Sequence, residues 1–375
     1  MAKFQPFVME RMMSKFEKAV EYNLSESGVH PVTFGELIRD VPGALDRLLA
    51  TEMDYAHANG IPELRQRIAA LYKGASPENV LVTVGAIEAN YDILAALLAP
   101  GDEIVVMLPN YMQVWGMAKN LGTNLKTFPL AEKFGWKPDL DKLRKAVTRR
   151  TKLIAVCNPN NPSGYILTKE EMEAVVETAR QAKAWILADE VYAGAERVAE
   201  AETPSFYGMY DKVLAVGSLS KAYGLPGLRT GWVVGPAKIV DQIWARHEYI
   251  TLSVSTLSNH LAAIALSPEV RPKLIQRARR YIRRGYHVLE EWMRGQGDIF
   301  SLTPPQAAAI AFLRYRLKVN STKLSERLRE EKSVLIVPGD HFGLDHHLRI
   351  SFGLPHEILK PALGRIRELV VELRK

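Results

Sequence analysis

The chain has 375 residues, enough for one large domain with an appendage or for two domains, each able to bury a core. Hydrophobic residues make up 47% and charged residues 24%, the balance of an ordinary soluble globular protein, which excludes global disorder and a collagen-like repeat. Forty-nine Lys and Arg against 42 Asp and Glu give a net charge of +7, which favours attraction to anions without naming a partner, and the single cysteine, Cys157, excludes an intrachain disulfide or a cysteine-based metal cage.

In chain order, residues 1–45 show no core of their own and are expected to serve the small domain or a dimer contact. Their first eighteen residues carry no continuous apolar run, so no secretory leader is expected, and a cytoplasmic protein is the default. From about residue 79 short apolar runs alternate with helical stretches: NVLVTVG, IEANYDILAALLA, DEIVVMLP, YMQVWGMAKNL and TNLKTFPL. TKLIAVCN follows, then a helix opened by the capping pair Thr168 and Glu171, then AWILAD, KVLAVGS and GLRTGWVVG. This alternation predicts an α/β fold with a mostly parallel, helix-covered sheet over residues 46–260. Residues 261–375 place longer charged helices around AAAIAFLRYR, VLIVPG and HLRISFG, the pattern of a smaller α+β domain. The basic stretch 273–284 interleaves apolar residues at helical spacing and reads as the solvated face of an amphipathic helix; no nucleic-acid partner and no membrane are expected.

Three segments at predicted strand ends concentrate chemistry. Lys221 lies in S-L-S-K-A-Y-G, between an apolar strand and a Gly/Pro-rich turn, at the sheet edge where open α/β folds bind ligands. By itself that motif is also met in surface loops. N-P-N-N-P-S-G (158–164) ends one strand, and A-D-E-V-Y (188–192) ends the next. Together, and in this order, N-P-x-N-P-S-G, D-E-V-Y and S-x-S-K-x-x-G-x-x-G-x-R resemble the class I and II aminotransferases of pyridoxal-phosphate fold type I, over nearly the whole chain.

The resemblance implies pyridoxal 5'-phosphate as cofactor and a role for each matching residue. Lys221 matches the Schiff-base lysine, Asp189 the carboxylate facing the pyridine nitrogen, and Tyr192 with Asn161 the pair that hydrogen-bonds the phenolic oxygen. Glu190 is set aside because strand alternation points it to the other face. Ser218 and Arg229 match phosphate ligands, with the turn Gly85, Ala86 and Ile87 adding backbone N–H groups. Tyr111 matches the aromatic that stacks on the ring, and Tyr55 the tyrosine that reaches the other subunit's phosphate, so a homodimer with shared active sites is implied. Arg349 matches the arginine that binds the substrate carboxylate, Asn161 is a further substrate-binding candidate, and the Asn161–Pro162 bond is expected to be cis. No metal is expected from His341, His346 and His347, which lack helical ligand spacing.

The chain departs from the common family pattern at residues 25–37, where SESGVHPVTFGEL stands. That stretch is similar to capreomycidine-synthase-type members, which cyclise a hydroxylated arginine. Ser27 and Glu26 become candidate substrate contacts, Glu26 suiting a cationic side chain or else standing free in solvent. The function implied is transfer of the amino group of an L-amino acid to a 2-oxo acid by a ping-pong Schiff-base mechanism. The alternative is β-replacement or cyclisation on an arginine-like amino acid. A ligand sensor with a DNA-binding module would need more chain before the α/β region, and a dinucleotide dehydrogenase would need G-x-G-x-x-G where GAIEAN stands.

Overall fold

The computed structural model describes residues 4–374. A two-residue strand, β1 (Tyr22–Asn23), precedes the strands of the main sheet. These are β2 (Val80–Thr83), β3 (Glu103–Leu108), β4 (Asn124–Ala131), β5 (Lys137–Pro138), β6 (Thr151–Cys157), β7 (Trp185–Asp189), β8 (Val213–Ser218) and β9 (Gly231–Val234). They form one eight-stranded sheet in the order β2-β9-β8-β7-β6-β3-β4-β5. The central strands β4, β3, β6, β7 and β8 pair in parallel, while β9 runs antiparallel to both its neighbours. The chain thus has the fold type I α/β architecture expected from its sequence.

The strands read as continuous apolar runs because both faces are covered. Along β6, Leu153 and Ala155 enter one core with Ile93, Leu94 and Ile243, whereas Ile154 and Val156 enter another with Met172, Val175 and Ala179. The helix Lys169–Ala182 that covers the second face is started by Thr168, whose side chain accepts from Glu171 N while Glu171 returns to Thr168 N. Such a cap stabilises a helix by about 1 kcal/mol.

The second sheet comes from the C-terminal third. Its strands are β10 (Phe300–Ser301), β11 (Ile310–Tyr315), β13 (Val337–Pro338) and β14 (His347–Ser351), antiparallel in the order β10-β11-β14-β13. The run VLIVPG, read as one strand, is divided: β12 (Val334–Leu335) pairs with β1, and β13 pairs with β14. Ile336 stands between them, its carbonyl taken by Ser325 Oγ at 3.0 Å instead of by a neighbouring strand.

The long basic helix Arg271–Arg294 buries Leu274, Ile275, Ala278, Ile282 and Leu289, as its spacing predicts. Arg279 is a correction to the solvated-face reading: it is buried, paired with the buried Glu196 at 2.6 Å. A buried acid at one side of the helix overrides the periodicity there. The N-terminal segment packs on its own chain, with Met9 and Met13 against the main-sheet core and Leu24, Val29 and Leu37 in the core shared with the second sheet. Among the described residues no helix is long and apolar enough to cross a membrane.

Candidate active site

A cavity of about 370 Å³ opens at the carboxyl ends of β6, β7 and β8. Parallel strands end there together, so residues distant in sequence arrive at one place. Asn161 comes from the turn after β6, Asp189 from the last position of β7, and Ser218, Ser220 and Lys221 from the end of β8 and its following loop. Arg349 enters from β14 of the second sheet.

The lysine loop is fastened on both sides. Ser220 N donates to Ser218 Oγ at 3.0 Å, Leu225 N to Leu219 O at 3.0 Å, and Val29 N to the carbonyl of Lys221 at 3.3 Å. Gly28 lies so close that a Cβ there would come within 2.9 Å of the Ser220 carbonyl, so only glycine lets the N-terminal segment press on this loop. Burial lowers the Lys221 pKa; Glu26 and Glu10 oppose that shift, while Arg349 and Arg229 add to it.

Asp189 is buried and accepts from Val191 N at 3.3 Å and Asn90 Nδ2 at 3.5 Å. Burial pushes its carboxyl up to about 6, and a cation beside it would draw it back toward the ordinary carboxylate range. Glu190 points to the opposite side, as alternation requires, and accepts from Ser205 Oγ and Phe206 N; burial pushes it up to about 8. Tyr192 is fully buried, with its phenol raised by burial and opposed by Arg349 and by a hydrogen bond with Ser27.

Arg349 is 1% exposed. It donates through Nη1 to Asn161 Oδ1 at 3.2 Å and through Nη2 to the Ser25 carbonyl, while its buried Nε has no partner. The Asn161–Pro162 bond is cis, as are Leu108–Pro109 and Asn158–Pro159.

At the far end of the cavity, Gly85 (φ +77°) precedes the helix Ala86–Leu97, and a Cβ on it would meet Arg229 Nη2 at 2.7 Å. The helix N-terminus, Ser218, Ser220 and the Arg229 guanidinium therefore face one pocket end. Tyr111 lines the cavity with its ring edge-on to Phe7, and its hydroxyl donates to Glu10 Oε1 at 2.8 Å.

Of the residues singled out from the sequence, the structure gathers Lys221, Asp189, Tyr192, Asn161, Ser218, Arg229, Ala86, Ile87, Tyr111, Arg349, Ser27 and Glu26 around this cavity, with Gly85 directly behind it. Tyr55 is not among them; it is 81% exposed and stands outside its own chain's cavity. Sequence reasoning missed Asn90, Ser220, Gln113, Glu10 and Glu17. Asn90 follows Ile87 by three positions on one helix, so extending that helical face from the Gly85 turn finds it. Ser220 sits within the lysine motif. Nothing local marks Gln113, Glu10 or Glu17.

On the other face of the same helix, His247 Nδ1 lies 3.2 Å from Glu88 and 3.9 Å from Asp92, all three buried. Burial, with Glu88 alongside, pushes the Asp92 carboxyl up to about 7.

The family model "Aminotransferase class I and II" matches residues 44–366. Capreomycidine synthase of Streptomyces vinaceus is 34% identical over 355 residues, covering 92% of this chain and 89% of that protein. An arginine–pyruvate transaminase of Pseudomonas aeruginosa is 30% identical, covering 89% and 86%. Among solved structures, a PLP-dependent aminotransferase from Streptococcus suis 89-1591 superposes with a TM-score of 0.92 at 29% identity over 99% of both chains. The chain belongs to the class I and II aminotransferases. It is accordingly an enzyme of the transaminase class that works with pyridoxal 5'-phosphate.

The residues present fit that cofactor. A helix N-terminus with two hydroxyls and a guanidinium suits a phosphate dianion, and the buried Asp189 suits a protonated ring nitrogen. The unpartnered Nε of Arg349 leaves donor capacity for a carboxylate.

Proposed function

We propose that this chain passes the amino group of an L-amino acid to a 2-oxo acid, with Lys221, Asp189 and Arg349 as its working residues. The observation that supports this is their convergence: a lysine of lowered pKa, a buried carboxyl and a buried, under-satisfied guanidinium face one cavity. When bound, pyridoxal phosphate supplies the carbonyl that receives the amino group and a ring that accepts the electron pair of the broken C–H bond.

The protein's own parts follow from their chemistry. Lys221 Nζ, more readily neutral than an exposed lysine, would take the proton from the substrate α-carbon and pass it to the cofactor carbon that receives the amino group, moving it the opposite way when the 2-oxo acid takes the amine back. Asp189 would hold a proton on the ring nitrogen of the bound cofactor, and Asn90 donates to that carboxylate. Tyr192 and Asn161 provide hydrogen bonds to the ring oxygen. Ser218, Ser220, Arg229 and the backbone at Gly85, Ala86 and Ile87 would anchor the phosphate, and Tyr111 would cover the ring. Arg349 orients the substrate through its carboxylate, with Asn161 fixing the guanidinium.

The same reading makes the enzyme a homodimer. Tyr55 is exposed near other exposed apolar side chains of its segment, Leu49 and Met53, and its place is the partner's phosphate site. It also divides the chain into a large domain over 46–260 and a small one over 261–375, with residues 1–45 serving the small domain and the dimer contact. A cytoplasmic setting is supported by the lone cysteine, free and buried.

A second reading, β-replacement or cyclisation of an arginine-like amino acid, is favoured by the similarity to capreomycidine synthase. Absorbance of the holoenzyme during addition of single L-amino acids separates the two. Conversion to the pyridoxamine form, reversed by a 2-oxo acid, supports transamination. Binding without conversion, with a cyclised product in the mass spectrum, refutes it in favour of the second reading.

A further inference from the structure

The cavity has an acidic side that the reading above does not use. Glu10 lies on the helix Val8–Phe16, Glu17 follows its last residue, and Glu26 stands three residues after β1; all three line the cavity. Glu26 is exposed, and Glu10 and Glu17 are half-buried. None of the three has an ion-pair partner among the described residues. Glu10 is oriented by the hydroxyl of Tyr111 at 2.8 Å. Glu26 and Glu10 also favour the charged forms of Lys221 and Arg349, so their field spans the cavity.

The cations lining the cavity are Lys221, Arg229 and Arg349. The proposed function assigns each of them: amino-group chemistry, the phosphate and the α-carboxylate. A substrate held by those groups has its side chain left to meet the remaining charged lining, which is carboxylate. An acidic side chain there would meet three like charges, with no unassigned cation among the described residues of this chain's lining. An apolar one would displace water from the carboxylates without replacing its hydrogen bonds, and a neutral polar one would replace them without the charge. A guanidinium or ammonium would find acceptors of opposite charge.

We propose that Glu10, Glu17 and Glu26 form a subsite for a cationic side chain, so that the amino donor is a basic amino acid of the arginine or ornithine class. The same field disfavours a second carboxylate on the acceptor, so a monocarboxylic 2-oxo acid takes the amine back. The proposal rests on the transaminase reading for where the α-carboxylate lies.

The test is spectral titration of the holoenzyme with L-arginine, L-ornithine, L-citrulline and L-aspartate, recording both the binding constant and any conversion to the pyridoxamine form. Citrulline keeps the length and shape of arginine without its charge. Arginine is expected to bind at least about 10-fold more tightly than citrulline, a difference of about 1.4 kcal/mol. Glu17→Gln and Glu26→Gln are each expected to reduce that ratio, and the double variant to reduce it further, leaving what Glu10 alone supports. Glu26→Lys, with cofactor absorbance retained as the check on folding, is expected to shift preference toward aspartate. Equal binding of arginine and citrulline, or tighter binding of aspartate by the unaltered enzyme, overturns the proposal even if every amino acid is transaminated. Preferential binding of basic amino acids without conversion supports the subsite while refuting transamination.

Discussion

Replacing Arg349 by lysine keeps the charge and removes the fork. In the structure the guanidinium spends Nη1 on Asn161 and Nη2 on the Ser25 carbonyl, leaving buried Nε and the remaining N–H bonds for a carboxylate. A lysine ammonium has three donors at one point and cannot span two carboxylate oxygens while holding Asn161. The loss is at least one charge-assisted hydrogen bond, about 1.5–3 kcal/mol, so KM for both amino acid and 2-oxo acid should rise roughly 10- to 150-fold. The decisive assay compares the amino acid with the amine that lacks its carboxylate, as single-turnover half-reactions in both proteins. The amino acid should lose most of its advantage over the amine in Arg349→Lys, while the amine's own rate changes little. An equal loss for both compounds would refute the assignment, because it would mean that the substitution had disturbed the lysine and cofactor region instead of a carboxylate contact.

Lys221→Ala should abolish turnover and the absorbance of lysine-bound cofactor, and full activity in that variant would refute its role. Tyr55→Phe should weaken cofactor retention, and mixing Tyr55 and Lys221 variants should yield hybrid dimers with one partly restored site; no restoration would place each site within one subunit. Asp92 carries a pH prediction: its folded pKa of about 7 lies above the value of about 3.8 in an unfolded chain, so the folded state binds more protons between those values and stability falls as pH rises through them. Asp92→Asn should therefore flatten the decline in thermal stability between pH 4 and 7, where a difference of about three pKa units corresponds to at most about 4 kcal/mol. An unchanged decline would show that Asp92 is ionised throughout, its charge held by His247.

Most of the main sheet was legible because strands buried on both faces read as continuous apolar runs, as β8 does in Val213, Leu214, Ala215 and Val216. Their spatial order was not, since an antiparallel β9 between β2 and β8 depends on how crossovers pack. Two-residue strands such as β1 and β5 are too short to show any period, and the division of VLIVPG depends on partners from opposite ends of the chain. In the site, residues at strand ends carried motifs: Asn161, Asp189, Ser218, Lys221 and Arg229 could be singled out. Asn90 and Glu10 meet Asp189 and Tyr111 across separations of 99 and 101 residues, contacts that no local pattern encodes. Arg279 was misread for the same reason, its acid partner lying 83 residues away.

The cavity divides by origin. The lining groups assigned to the cofactor come from the sheet and its following turns and helices between Gly85 and Arg229, whereas all three carboxylates of the acidic side come from the first twenty-six residues. That leading segment lies over the lysine loop through Gly28 and Val29, yet contributes no strand to the main sheet. Glu17 and Glu26 can therefore change which side chains enter, whereas Gly28 and Val29 of the same segment are tied to the lysine loop. Recognition of the side chain and chemistry on the amino group are thus written in separate stretches of the chain, so that the choice of substrate is open to redesign at Glu17 and Glu26 with the cofactor's own ligands left in place.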